Sequence, residues 1–143
     1  MKILIEDRQD QFCIDHEKVK EKSRIILEYL GCHDGELSIL ILDDSQIEEL
    51  NRTYLHREGP TNVMAFPMQE GPYGNITPGL LGDVVISIET AFQESKEADM
   101  SLEERLNQLL VHGILHLLGY DHEKTKKEAE TMNNKAQELL QLL

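Results

Sequence analysis

The sequence predicts one α+β domain, and three observations predict it. Four short segments have strand character, five segments have helical patterning, and 143 residues suit a single core but not two. "KILIE" (2–6) opens as a strand; its apolar run is soon ended by charges and is too short for a secretory signal. Residues 16–30 read as a helix carrying Val19, Ile25, Ile26, Tyr29 and Leu30, with Gly31 as its stop. "LSILILD" (37–43) is near-continuously apolar, as in strands covered on both faces. A short helix is placed at Ser45, where Glu48 three residues on completes a capping box. "NVMAFP" (62–67) and the apolar "LLGDVVISI" (80–88) supply the remaining strands.

Between those two strands, "MQEGPYGNITPGL" (68–80) has three glycines and two prolines and reads as a loop, either bordering a site or a plain surface excursion. Residues 89–98 form the next helix. The fourth starts at Ser101, capped with Glu104, and its first half is amphipathic, with Leu102, Leu106, Leu109 and Leu110 on one face. From Val111 to Leu118 every residue is apolar, glycine or histidine, so this helix runs from the surface into the interior. Gly119 is suited to end it in a left-handed cap. Residues 124–143 make the last helix, with a stripe of Ala129, Met132, Ala136, Leu139 and Leu143.

Composition narrows the function. Hydrophobic residues make up 40% and charged residues 29%, as in a globular protein, and no apolar run approaches the roughly 18 residues of a membrane span. We therefore expect a cytoplasmic protein without membrane contact. The net charge of −13 and pI near 4.8 argue against broad electrostatic binding to nucleic acid, and no DNA partner is expected. The cations cluster locally at Lys18, Lys20, Lys22 and Arg24, at Lys124, Lys126 and Lys127, and at Arg52 and Arg57; each cluster reads as a solvated face balanced by glutamates. Cys13 and Cys32 form no C-x-x-C pair and read as reduced thiols.

The chemistry is concentrated in "HGILHLLGYDH" (112–122), which holds half of the six histidines. His112 and His116, four apart on a helix, share one face about 6 Å apart along the axis, so their nitrogens can converge on one ion. His122 follows the Gly119 turn and can bring a third. Three imidazoles with an open fourth position match a catalytic zinc site. Satisfying three histidines separately in an apolar segment would carry desolvation penalties. One zinc ion per chain is expected, although nickel, copper or iron suit the same nitrogens. The spacing also matches the H-E-x-x-H-x-x-G-x-x-H metalloprotease signature, glycine included. The general-base glutamate of those enzymes is replaced by Gly113, which argues against peptide hydrolysis.

These residues carry a resemblance. "HGILHLLGYDH" resembles the H-G-x-L-H-L-x-G-Y-D-H signature of the YbeY family of bacterial rRNA maturation factors. "LNRTYLHREGPTNVMAF" (50–66) and "GDVVIS" (82–87) are similar to two further segments of that family, so the likeness spans residues 50–122. It implies a four-stranded mixed sheet packed with about five helices around a central metal-bearing helix, a zincin-like metal-hydrolase fold. It also implies a zinc-dependent, single-strand-specific endoribonuclease acting on single-stranded rRNA of the small ribosomal subunit, in 3′-end maturation and ribosome quality control. By the same resemblance His112, His116 and His122 are the metal ligands.

Two positions depart from the pattern. The family's arginine falls at Leu55, leaving Arg57 as the candidate catalytic cation or else a solvated loop residue, and the family's serine is Ala65. Asp121 reads as a support for a ligand imidazole or a helix cap, and Asp83 as a support for the site or a backbone partner. No residue stands out as a general base. Two alternatives remain, a metal-stabilised ribosome-associated factor that cuts nothing and a metallopeptidase-like hydrolase.

Overall fold

A computed structural model describes residues 1–68, 80–120 and 125–143. Its strands are β1 (Lys2–Asp7), β2 (Glu36–Leu42), β3 (Val63–Pro67) and β4 (Leu80–Ser87). Its helices are α1 (His16–Tyr29), α2 (Asp44–Leu55), α3 (Ile88–Glu97), α4 (Leu102–Leu117) and α5 (Lys126–Leu142). The sheet order is β1-β2-β4-β3, parallel across the first three strands, with β3 antiparallel on the edge. This is the expected α+β arrangement of a four-stranded mixed sheet and five helices. The two near-continuously apolar strands, β2 and β4, are the central pair, where both faces need cover.

The two faces are covered unequally. Leu37, Ile39 and Ile41 of β2 and Val84 and Ile86 of β4 join the main core with residues of α1, α3, α4 and α5. On the opposite face Leu42, Met64 and Val85 form a smaller cluster with Ile47 of α2. Alternation along the strands sorts residues between these faces, so one-residue register sets which side chains can meet α4. At Gly82 that register shifts, because Leu37 pairs with Gly82 while Glu36 pairs with Leu80. The glycine has φ 137°, and a Cβ there would lie 2.2 Å from the Phe66 carbonyl oxygen. The glycine of "GDVVIS" is thus required by an irregularity in the sheet.

Helix ends follow the sequence with one exception. Ser101 caps α4 by accepting from the Glu104 N–H at 3.1 Å. Ser101→Ala should cost about 1 kcal/mol, read as a lower urea midpoint at an unchanged slope. The box expected at Ser45 and Glu48 is not the one formed. Asp43 caps α2 instead, accepting from the Gln46 N–H at 2.8 Å while Gln46 Oε1 accepts from the Asp43 N–H at 3.0 Å. The helix begins almost directly from β2, so Ser45 already lies inside its first turn. Asp44 is drawn into a tertiary bond, accepting from Ser87 Oγ at 2.6 Å and from Thr90 Oγ1, which ties the starts of α2 and α3 together. The last helix starts at Lys126 under a Thr125 cap, and Lys124 lies outside the described residues. Of the expected 68–80 loop, residues 69–79 also lie outside them.

Candidate metal centre

The helix α4 changes character along its length, as its sequence demands. Its second half is walled by Leu110, Val111, Ile114 and Leu115, all buried, while His112 and His116 are half-buried on one face. Their Nε2 atoms lie 3.0 Å apart, with ring centroids at 4.5 Å and planes inclined by 66°. Two imidazoles bound tetrahedrally at 2.0–2.1 Å would place these nitrogens about 3.3 Å apart. The pair therefore fits one ion with little adjustment. Gly119, at φ 95°, turns the chain back just beyond α4. His122 and Asp121 lie outside the described residues. Among the described residues, no group of three His, Cys, Asp or Glu side chains is assembled.

Between the two histidines, Gly113 is buried against the sheet. A Cβ on it would stand 2.6 Å from Val84 Cγ1 and 3.2 Å from Val63 Cγ2, with backbone fixed on both sides. Glycine here is a packing requirement, since it lets α4 approach β3 and β4 closely. The same contact leaves no room for a glutamate, so the protease base is excluded sterically as well as by sequence.

Beside His112 lies a polar network that the sequence reading missed. Arg105 donates from Nε and Nη2 to Glu94 Oε1 at 3.2 and 3.0 Å, and from Nη1 to Gln108 Oε1 at 2.6 Å. Asn62 Nδ2 donates to both Glu94 oxygens at 3.3 Å. Arg105, Gln108 and His112 line one cavity of about 250 Å3, together with Asn62 and residues of α5. The signal was present in sequence: Arg105 stands seven residues before His112, two turns back on the same stripe.

The other expected residues are placed apart from this cavity. Arg57 is exposed just beyond His56, the left-handed C-cap of α2, and its backbone N–H donates to the Asn51 carbonyl at 3.3 Å. No ion pair engages Arg57 or Arg52 among the described residues. Leu55 is exposed at the end of α2, and Ala65 packs on the α4 side of β3. Asp83 points to the opposite face of the sheet from Val84, into a groove with Glu6, Arg8 and Tyr54. It is therefore not a support for the histidine pair. Cys13 and Cys32 are free thiols, and burial raises the pKa of Cys32, which disfavours its thiolate.

The lysine cluster on α1 is neutralised where it stands. Lys22 and Lys18 both reach Glu103 of α4, at 2.8 and 3.6 Å, Lys20 pairs with Glu17, and Arg24 pairs with Glu21. The Lys22 hydrogen bond, then the charges of Lys22 and Lys18, hold the Glu103 carboxyl below its ordinary pKa. A depressed carboxylate stabilises the fold above its unfolded pKa and loses that contribution as pH falls through the folded value. The stability of Glu103→Gln should accordingly fall less steeply than that of the parent below pH ~4.5, in acid titrations followed by circular dichroism.

The four-stranded mixed sheet with the histidine-bearing helix packed on one face has the zincin-like arrangement. The family profile described as Endoribonuclease YbeY matches residues 4–143, and the chain belongs to that family. It is 49% identical over 138 residues to the Endoribonuclease YbeY of Syntrophotalea carbinolica, covering 96% of this chain and 92% of that one. Its identity to the Endoribonuclease YbeY of Geobacter metallireducens is 44% over 144 residues, covering 100% and 96%. A solution structure of a Thermotoga maritima protein superposes with a TM-score of 0.67 at 26% identity, covering 96% of this chain and 86% of that one.

Proposed function

We propose that this protein is a cytoplasmic, zinc-dependent endoribonuclease that cuts single-stranded RNA, with rRNA of the small ribosomal subunit as its substrate. On this reading it acts in 3′-end maturation and in ribosome quality control. The observation that carries the proposal is the convergence of the His112 and His116 Nε2 atoms to 3.0 Å on a buried helix, in a chain of an endoribonuclease family. His112, His116 and His122 would hold the ion. When bound, zinc supplies a Lewis acid that polarises a phosphoryl oxygen and makes water acidic near neutral pH.

The chain's own residues supply the rest. Each imidazole must present a neutral Nε2, so ligation is lost as the histidines protonate. Ile114 and Leu115, fully buried behind the pair, hold α4 rigidly on the sheet and fix the spacing of the two rings. Arg57, exposed just beyond the end of α2, offers a guanidinium donor to a phosphate of the bound RNA strand. Arg57→Ala should lower kcat/KM on the order of 10-fold, the loss of one charge-assisted hydrogen bond, with metal content unchanged.

The deciding experiment offers labelled single-stranded and duplex RNA to zinc-loaded protein, beside His116→Ala purified identically. Cleavage of the single strand by the parent alone is the expected result. Equal cleavage by both preparations would mean contamination and would remove the nuclease reading. RNA binding without cleavage would leave the assembly-factor reading in its place.

A further inference from the structure

We propose that the cavity beside His112 is a pocket for a single nucleobase of the RNA strand and that it selects guanine. The inference rests on the endoribonuclease reading, but apart from His112 the walls of the cavity are residues assigned no metal. At about 250 Å3 the cavity lies below the roughly 300–1,000 Å3 of sites for drug-sized ligands and suits one flat ring. Val63 and Leu140 give it apolar walls, while Arg105, Gln108 and Gln137 give it polar ones. Single-stranded RNA is read in this manner, by splaying out a base and bonding its edges.

The hydrogen-bond inventory decides between a base and a phosphate. The charge of Arg105 is met by Glu94 at 3.0 Å, so the pocket lacks the uncompensated cation a phosphate would need. It also decides which base. An arginine has five N–H donors, and three of those on Arg105 are engaged, by Glu94 and Gln108. The Gln108 oxygen is used in accepting from Arg105, which leaves its Nε2 hydrogens without a partner among the described residues. Asn62 is engaged at both ends, donating to Glu94 and accepting from the Val63 N–H at 2.7 Å. Around Arg105 the network consumes acceptors and leaves donors. The exposed Gln137 amide, which carries a donor and an acceptor and has no partner among the described residues, can turn its hydrogens to the same edge. Guanine answers with two adjacent acceptors, N7 and O6, whereas adenine presents an amino donor where guanine has O6. Held by three bonds, the Arg105 guanidinium is pre-organised for such an edge.

The test uses the full chain and nucleoside 5′-monophosphates, with the side-chain amide signals of Gln108 and Gln137 followed by NMR. Guanosine monophosphate should bind at least ~10-fold more tightly than the adenosine compound and shift the Gln108 amide. Inosine monophosphate, which keeps N7 and O6 but lacks the 2-amino group, should bind as guanosine monophosphate does. Gln108→Leu should reduce the preference below ~3-fold while leaving zinc content unchanged. Equal binding of all the nucleotides, unmoved amide signals, or a preference that survives Gln108→Leu would overturn the proposal. Because no cleavage is read, failure here is separable from failure of the nuclease reading. A guanine-selective chain that cuts no RNA sinks only the latter, and RNA cleavage without nucleotide preference sinks only the former.

Discussion

His116→Ala is expected to abolish zinc retention and RNA cleavage together. The His112 and His116 nitrogens stand 3.0 Å apart, so the alanine removes one of the two donors that the structure places side by side. Even groups that merely orient a metal ligand cost about 10–100-fold in metal affinity when removed. Loss of the ligand itself should therefore exceed 100-fold. Zinc content by elemental analysis and single-strand cleavage are the two readouts. The parent should also melt at a higher temperature with zinc than without, while the variant melts at one temperature in both conditions, since binding to the folded state alone stabilises it. His33→Ala, at an exposed position ahead of β2, is the control and should match the parent throughout. A variant that keeps stoichiometric zinc would show that α4 does not hold the ion.

The second large effect is expected at Gly113, on stability rather than chemistry. Gly113→Ala places a Cβ 2.6 Å from Val84 Cγ1, and neither α4 nor β4 can retreat without disturbing the central core. Overpacking of this kind costs about 1–3 kcal/mol, measurable as a lower urea midpoint. Gly113→Glu should be worse, because it adds a carboxylate to an apolar contact, and it should yield insoluble or unfolded chain rather than a peptidase. Adding Val84→Ala to Gly113→Ala should recover part of the loss, since the two positions touch and their effects are not additive. Strict additivity of the two substitutions would mean that the helix is not held at this distance by this contact. The reading of Gly113 as a missing base thus becomes a statement about packing, from which the missing base follows.

The fold was legible in the sequence because its signals are local. The apolar runs of β2 and β4, the serine before α4 and the glycines after α1 and α4 act within a few residues of themselves, and each element formed within a few residues of its expected bounds. The capping box expected at Ser45 gave way to a local competitor, Asp43 with Gln46, because the helix starts almost directly from β2. The tertiary contacts of its first residue were not legible. Asp43 was free to cap, while the neighbouring Asp44 was engaged by Ser87 and Thr90, more than forty positions away. Arg105 was passed over for a related reason. Its place two turns before His112 could be counted along the helix, but its bond to Glu94 depends on how α3 docks against α4.

By itself, then, the sequence determined the elements, the helical pairing of His112 with His116 and the family, all of which rest on spacing along one chain segment. Only the tertiary structure decided which face of the sheet Asp83 occupies, why position 113 admits no side chain, and that Arg105 and Gln108 share a cavity with His112. Those depend on strand register and on the distance between a helix and a sheet. Such quantities arise from many weak contacts acting together, and no short stretch of sequence encodes them.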